Sequence, residues 1–253
     1  MTEGAGAAPA AHVDPRGEGA SRARLIFERQ GLHASLLAVL LVAVGWASAL
    51  PRVQAGRIWG VGSTAWLWLA VGCAIAHQGF VWFCWRTQLH LSLLTRLAGA
   101  RAFPLYAVPF ALLGGARVVT VIVLATSNRE TLPIDLLPRR VLAAIALALG
   151  AYVLDSVARH FTFERALGID HFDARYRSLP LVRQGIFRFT RNGMYTFGLL
   201  ILWAPGLWQA SAAALCAALF QHLYIWVHYC ATELPDMRRI YGAEPSRRSS
   251  GTP

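Results

Sequence analysis

Uncharged stretches alternate with short arginine-rich connections along this chain, and their lengths predict its elements. A bilayer core of about 30 Å takes about 20 helical residues. Residues 34–51, the 28 uncharged residues of 58–85, residues 102–126 and residues 139–158 therefore each predict one spanning helix. Trp59, Trp82 and Trp85 mark the interfacial ends of the second. Pro104, Pro109, Gly114, Gly115 and Arg117 interrupt the third, which predicts a kinked helix packed against protein rather than lipid. The run from Asn192 to Thr232 is longer, 41 residues without Asp, Glu, Lys or Arg. As one helix it would measure about 62 Å at 1.5 Å per residue, so it has to fold back. Pro205-Gly206 is the only Pro-Gly breaker in the run and predicts a turn between a short helix near 193–204 and a longer one near 207–232. The expected fold class is all-α: a polytopic membrane helix bundle of about six segments with a C-terminal helical hairpin.

Outside these runs, residues 1–21 are mostly Gly, Ala and Pro with scattered charges and no apolar period, which predicts a disordered tail. Arg22, Arg24 and Arg29 among Leu25, Ile26, Phe27 and Leu32 predict a short amphipathic stretch at the membrane surface. Ala47-Ser48-Ala49 imitates a signal-peptide cleavage site, but the lead before the apolar run is too long for one, so a retained first span is expected. The organisation is then a tail over 1–21, N-terminal membrane helices over 22–158, a polar connection with the hairpin over 159–242, and a flexible tail over 243–253.

Composition sharpens the class. The chain is 56% hydrophobic and 15% charged, against roughly 25% charged in a soluble domain, which excludes a water-soluble globule. Every one of the 24 basic residues is Arg, set against 13 acids, for a net charge of +11. A nucleic-acid-binding protein displays such an excess on a wet surface; here long apolar runs separate the arginines, so no nucleic acid is expected and anionic lipid headgroups are the expected partner. Sorting the arginines by segment puts 18 on one face and 5 on the other, and the positive-inside rule makes the richer face cytoplasmic, with both termini inside. That face belongs to the inner membrane of a bacterium or to the endoplasmic reticulum of a eukaryote. Cys73, Cys84, Cys216 and Cys230 show no CxxC spacing and are read as packing residues, with no metal site expected.

Two polar segments flank the hairpin, GIFRFTRNGMYTFG from Gly185 and HLYIWVHYCATELPDMRRIYG from His222. Asn192 is a good N-cap, and Gly193 lets a ligand approach the free N–H groups of Gly193, Met194 and Tyr195, a start that attracts a carboxylate or phosphate. Arg188 and Arg191 either add to that attraction or only anchor a cytoplasmic helix end. At 100° per residue, His222, Trp226, Tyr229 and Glu233 form one stripe, which is either packing or a site. Glu233 ends the uncharged run at the membrane edge, where a carboxylate calls for a cation. His228 falls on the opposite side and is assigned no chemistry. Asp155 and Arg159 suit an i,i+4 ion pair, and Arg117 calls for a partner inside the bundle or a lipid phosphate.

At these two segments the sequence resembles the integral-membrane methyltransferases that include phosphatidylethanolamine N-methyltransferases and isoprenylcysteine carboxyl methyltransferases. The family pattern, an RHPMYxG-like or DNPMYxG-like helix start, a helical hairpin, then a Glu-containing segment with Tyr-Gly or Phe-Gly, has its counterparts in Arg191-Asn192-Gly193-Met194-Tyr195 with Gly198, then Thr232-Glu233, Pro235 and Tyr241-Gly242. Gly193 stands where the family has Pro, Thr232 where it has a first Glu, and a GxG element survives only as Gly150-Ala151-Tyr152. The stretch TELPDMRRIYG is closer to the phospholipid N-methylating branch.

The resemblance implies S-adenosylmethionine as methyl donor and a membrane lipid, such as an aminophospholipid, as acceptor. It implies cofactor binding by Arg191, Asn192, Gly193, Met194, Tyr195, Gly198, Thr232 and Glu233, a lipid phosphate at Arg188, and a proton acceptor among His222, Tyr229, Glu233 or water. A small thiol, phenol or carboxylate acceptor is an alternative within the same chemistry. An NADPH-dependent sterol-type reductase, which shares an Arg-His-Pro-x-Tyr segment, and a non-enzymatic scaffold or transporter are alternatives outside it.

Overall fold

The structure, a computed structural model, describes residues 15–242. Helix α1 (Pro15–Ile26) leads into α2 (Gln30–Ser48), with Arg29 in the left-handed region (φ 59°) at the joint. Helices α3 (Ser63–Leu91), α4 (Ala102–Ser127) and α5 (Leu136–Ser156) follow. The C-terminal part holds α6 (Trp203–Gln209), α7 (Ala212–His228) and α8 (Leu234–Tyr241). Of the expected N-terminal tail, residues 1–14 lie outside the described residues and α1 begins at Pro15; the expected C-terminal tail, 243–253, also lies outside them.

Among the described residues, five helical stretches are long and apolar enough to cross a membrane: Ser21–Ser48, Ser63–Leu91, Leu93–Ser127, Leu136–Phe161 and Ala212–Tyr241. They make an all-α polytopic bundle in which α3 packs against α4 and α7, and α7 also against α2. Alanines hold the axes close: Ala70 and Ala74 of α3, Ala125 of α4, and Ala213, Ala214 and Ala217 of α7 are fully buried around Leu67, Val121 and Leu124. Leu137, Val141, Leu112 and Val42 face outward, as lipid-facing positions do. The α4 helix runs unbroken through Pro109. Between α2 and α3 a two-residue hairpin pairs Arg57 with Gly62 and Ile58 with Val61, and Trp59 and Gly60 at its tip both take positive φ, the geometry of a type I′ turn.

The sixth expected segment is present but irregular. Instead of one helix over 193–204 it is a single α-turn, Gly193–Thr196, a 3₁₀ stretch, Gly198–Leu202, and then α6. The turn is also displaced: Pro205 occupies the first turn of α6, where its missing N–H is no loss, and the reversal falls at Ala210 (φ 48°) and Ser211. Gly206 stays helical because Leu215 lies against it; a Cβ there would come within 2.8 Å of Leu215 Cδ2. Ser211 caps α7 by accepting from Ala214 N at 3.1 Å.

One amide secures this outer end. Asn128, fully buried, donates through Nδ2 to the carbonyls of Arg52 and Ala55 at 2.8 and 2.7 Å and accepts on Oδ1 from Ser211 Oγ, Thr131 Oγ1 and Ala213 N. The Glu130 N–H bonds the Gln209 carbonyl at 2.8 Å alongside it. The hairpin tip therefore sits at the end of the bundle where α4 ends and α5 starts. Both hairpin borders, Asn192 and Thr232, lie at the opposite end, the arginine-rich face.

Candidate functional site

The arginine-rich end is built on a bend in the last helix. After His228 the α-helical repeat widens into a π-turn, Tyr229–Glu233, before α8 starts at Leu234 with Pro235 in its first turn. Such a turn leaves carbonyls displaced from their usual partners, and Arg86 of α3 takes them: Nη2 donates to Ala231 O at 3.3 Å and Thr232 O at 3.2 Å, and Nη1 to Leu25 O. Arg86 is fully buried and forms an ion pair with the equally buried Asp236, Nε to Oδ1, at 2.9 Å. Glu28 adds a weaker pair to Arg86 at 3.6 Å and is bonded by Arg239.

From the far side, the loop over 162–192 delivers Asp170 and His171 to the same network. His171 Nδ1 lies 3.1 Å from Asp170 Oδ1, and Nε2 lies 3.6 Å from Asp236 Oδ2. The Tyr241 hydroxyl donates to Asp170 Oδ2 at 2.8 Å. His171 stacks on Trp85, centroids 4.3 Å apart and planes 19° from parallel. Burial alone would pull the His171 imidazole down, but its hydrogen bonds and attraction to Asp170 and Asp236 outweigh that and push it up to about 9. Burial pulls Asp170 the other way and is likewise outweighed, by His171 and Tyr241, which hold it below the usual carboxylate range.

Because the folded His171 binds its proton more tightly than an unfolded one, its contribution to stability is complete below the ordinary histidine value of 6.5 and is lost as pH rises through about 9. Thermal unfolding of the purified protein is expected to show a midpoint falling across that window, and His171→Asn is expected to flatten the fall.

Gly168 fixes the loop's approach. Its φ is +83°, and a Cβ there would lie 2.4 Å from Trp85 Cζ2. Gly168→Ala is expected to cost about 1–3 kcal/mol, through both the indole clash and the unfavourable φ, seen as a lowered thermal midpoint.

Two cavities meet at this end. The polar one, at the arginine-rich end, about 200 Å³, is lined by Arg165, Asp170, Arg191, Asn192, Tyr229, Glu233 and Tyr241 among others. The intramembrane one, about 270 Å³, runs between α3, α4, α5 and α7, past Val81, Phe110, Val153 and Leu154 to His77, Arg117 and His228. Trp85, Ala166, Met194 and Tyr195 line both and form the wall between them. The Tyr195 hydroxyl donates to Glu233 Oε2. No ion pair to Glu233 occurs among the described residues.

The expected site residues divide accordingly. Arg191, Asn192, Met194, Tyr195, Tyr229 and Glu233 are brought together on the polar cavity at the arginine-rich end. Gly193 is not on it: a Cβ there would lie 2.9 Å from Ile186 Cγ1, so its own chain, not a ligand, occupies the approach. Asn192 makes no side-chain cap, and the turn after it lasts four residues, so the expected anion-attracting helix start is not formed. Gly198 lines the intramembrane cavity instead, against Val153. Thr232 turns away toward α2, where Gln30 Nε2 donates to its hydroxyl at 3.3 Å. Arg188 is exposed over the Phe189 ring.

His222 lies away from both cavities, accepting from Trp203 Nε1 at 3.1 Å. The stripe that joined it to Glu233 assumed 100° per residue throughout, and the π-turn between them changes the phase. His228, given no chemistry by the same wheel, lines the intramembrane cavity. Trp85 is buried rather than interfacial, and Asp170, His171 and Asp236 carried no sequence signal beyond being polar residues in polar segments. Asp155 and Arg159 do pair, at 2.6 Å. Arg117 finds its partners within the bundle, donating from Nε to Gln221 Oε1 at 2.8 Å and from Nη1 to His77 Nδ1 at 3.1 Å.

No curated protein matches the chain, and no solved structure does. Residues 138–244 match the model of the phospholipid methyltransferase family. That stretch takes in nearly all of α5 and everything through α8; α1 to α4, which contribute Trp85, Arg86, His77 and Arg117, lie outside it. In its C-terminal part, this integral membrane protein is thus similar to the phospholipid methyltransferases.

Proposed function

We propose that the protein transfers a methyl group from S-adenosylmethionine to the amine of an aminophospholipid such as phosphatidylethanolamine. The observation that carries this reading is the pair of cavities separated only by Trp85, Ala166, Met194 and Tyr195. One opens among charged groups on the cytoplasmic face and the other among the membrane helices, as a reaction between a water-soluble donor and a lipid requires.

The residues present fit the donor. Glu233 is a carboxylate at the membrane edge with one oxygen held by Tyr195 and no cation paired to it among the described residues, so an ammonium or sulfonium supplies the missing charge. Arg191 and Asn192 on the same cavity suit a carboxylate, and Asp170, held by His171 and Tyr241, suits hydroxyl groups. S-adenosylmethionine supplies an electrophilic methyl on a positively charged sulfur. Trp85 and Tyr195 present ring faces and edges at the wall, where they exclude water and can stabilise a cation through the ring quadrupole. The neutral amine's lone pair forms the C–N bond as the S–C bond breaks and its pair stays on sulfur, so charge is carried from sulfur to nitrogen and one proton must leave the amine. Tyr229 and Glu233 stand at the wall to take it or to pass it to water. Positioning two reactants where the two cavities adjoin, at the residues that line both, is the chain's main contribution.

The test is incubation of the detergent-solubilised full chain with methyl-labelled S-adenosylmethionine and total lipid extract. Label is expected in the lipid phase, on the aminophospholipid. Label in aqueous product alone would favour a small thiol, phenol or carboxylate acceptor. No transfer, together with stabilisation by NADPH, would favour a reductase.

A further inference from the structure

An arginine deep among spanning helices needs negative charge nearby. Arg117 has only neutral partners: Gln221 accepts from Nε and the His77 ring from Nη1, with no carboxylate paired to it and no bond from Nη2 among the described residues. It is 6% exposed, and what exposure it has is onto the intramembrane cavity. Beside it, His228 is 1% exposed, also lines that cavity, and neither of its ring nitrogens has a hydrogen-bond partner among the described residues. Arg117, His77, His228 and Gln78 thus bring four buried polar side chains to a largely apolar chamber with a net positive charge and unmet hydrogen bonds, which is costly unless a ligand completes them.

We propose that this chamber is the acceptor site and that Arg117 holds the acceptor's phosphate, so that the protein selects an amphiphile carrying an anion set back from its nucleophilic end. The inference rests on the methyltransferase reading for the word acceptor, but not for the ligand chemistry. The order of the lining residues agrees with the layout of an aminophospholipid: Trp85 and Tyr195 lie toward the arginine-rich end of the chamber, and His77 with Arg117 lies farther along α3 from that end. The amine then meets the Trp85–Tyr195 wall, the phosphate lies deeper at Arg117 with His228 to bond its oxygens, and the tails leave between α5 and the irregular segment, past exposed Leu154 and half-buried Leu199. An acceptor without the anion would leave Arg117 uncompensated. Arg117 is a positioning residue in this scheme and does not touch the reacting atoms.

The test compares two ligands and four proteins: short-chain phosphatidylethanolamine against an alkylamine of equal chain length lacking phosphate, on the unsubstituted chain, Arg117→Gln, Arg117→Lys, and Leu154→Trp, which obstructs the chamber's opening toward lipid. Thermal stabilisation reads lipid binding without cofactor. The unsubstituted chain is expected to prefer the phospholipid, and Arg117→Gln to lose about tenfold or more of that preference, the loss expected when a buried charge partner is removed. Arg117→Lys is expected to keep part of it and Leu154→Trp to weaken both ligands. Stabilisation by S-adenosylmethionine should be unchanged throughout, and in methyl transfer Arg117→Gln should raise the lipid KM while altering kcat little.

Equal stabilisation by the two ligands on the unsubstituted chain would overturn the proposal even if Arg117→Gln does not fold, as would a phospholipid preference that survives Arg117→Gln. If the preference follows Arg117 but S-adenosylmethionine neither binds nor transfers, the methyltransferase reading falls and the phospholipid chamber stands. If transfer occurs without any dependence on Arg117, the chamber assignment falls alone.

Discussion

Glu233→Ala is expected to reduce affinity for S-adenosylmethionine by about tenfold to a hundredfold or more, in line with the loss of a hydrogen bond to a charged group together with its charge. The size of the effect follows from the surroundings. Glu233 sits where α7 gives way to α8, its one described hydrogen-bond partner is the neutral Tyr195 hydroxyl, and it faces the cavity at the arginine-rich end without an ion pair among the described residues. A bound cation therefore meets a carboxylate with an oxygen still open to it. Tyr195→Phe should have a smaller effect, because it removes the orienting donor and leaves the charge. Calorimetric titration of the purified protein distinguishes the cases, and unaltered binding by Glu233→Ala would remove Glu233 from the cofactor site.

The second large effect is on the fold. Asp236→Ala leaves Arg86 fully buried with only the more distant Glu28 to balance it, and leaves His171 with Asp170 alone. Removing one partner of a buried ion pair costs about 3–5 kcal/mol, and here it also loosens the guanidinium that bonds the Ala231 and Thr232 carbonyls. A lowered thermal midpoint is expected, with weakened S-adenosylmethionine binding because Glu233 is the next residue in the same turn. Replacing both charges, Arg86→Met with Asp236→Leu, should recover part of the midpoint, since an apolar pair carries no desolvation cost. It should not recover cofactor binding, because the π-turn carbonyls remain without their donor. A double variant that binds like the unsubstituted chain would show that the network stabilises the bundle without positioning the site.

The helices were legible because a charge inside a bilayer is expensive, so the places where charge is absent outline the spans; α3, α4 and α5 fall close to 58–85, 102–126 and 139–158. The reversal within the 41-residue run was legible as a necessity of length but not as a position. Pro205-Gly206 looks like a breaker in isolation, whereas the structure lets Pro205 start α6 and fits Gly206 under Leu215. In the site, Glu233, Tyr195, Arg191 and Asn192 were legible because they are the polar borders of an apolar run. His222 lies about two helical turns before Tyr229, beside Trp203, too far along α7 to reach the polar cavity, and the π-turn of Tyr229–Glu233 shifts Glu233 off the phase a regular wheel gives it, while His228 lines the intramembrane cavity. Gly193 was legible as a close approach, but whether chain or ligand makes that approach depends on Ile186, in a loop with no periodic pattern. Asp170 and His171 were hidden for the same reason: two polar residues in a polar connection become a buried relay only when Gly168 brings them onto Trp85.

Asn128 ties together the 52–55 turn, the foot of α4 and the head of α7 through a single side-chain amide. With the end of the bundle opposite the arginine-rich face clasped in that way, any breathing that admits a two-tailed guest has its fulcrum there and its largest excursion at the arginine-rich mouth, so the helices should part like the jaws of a clothes peg.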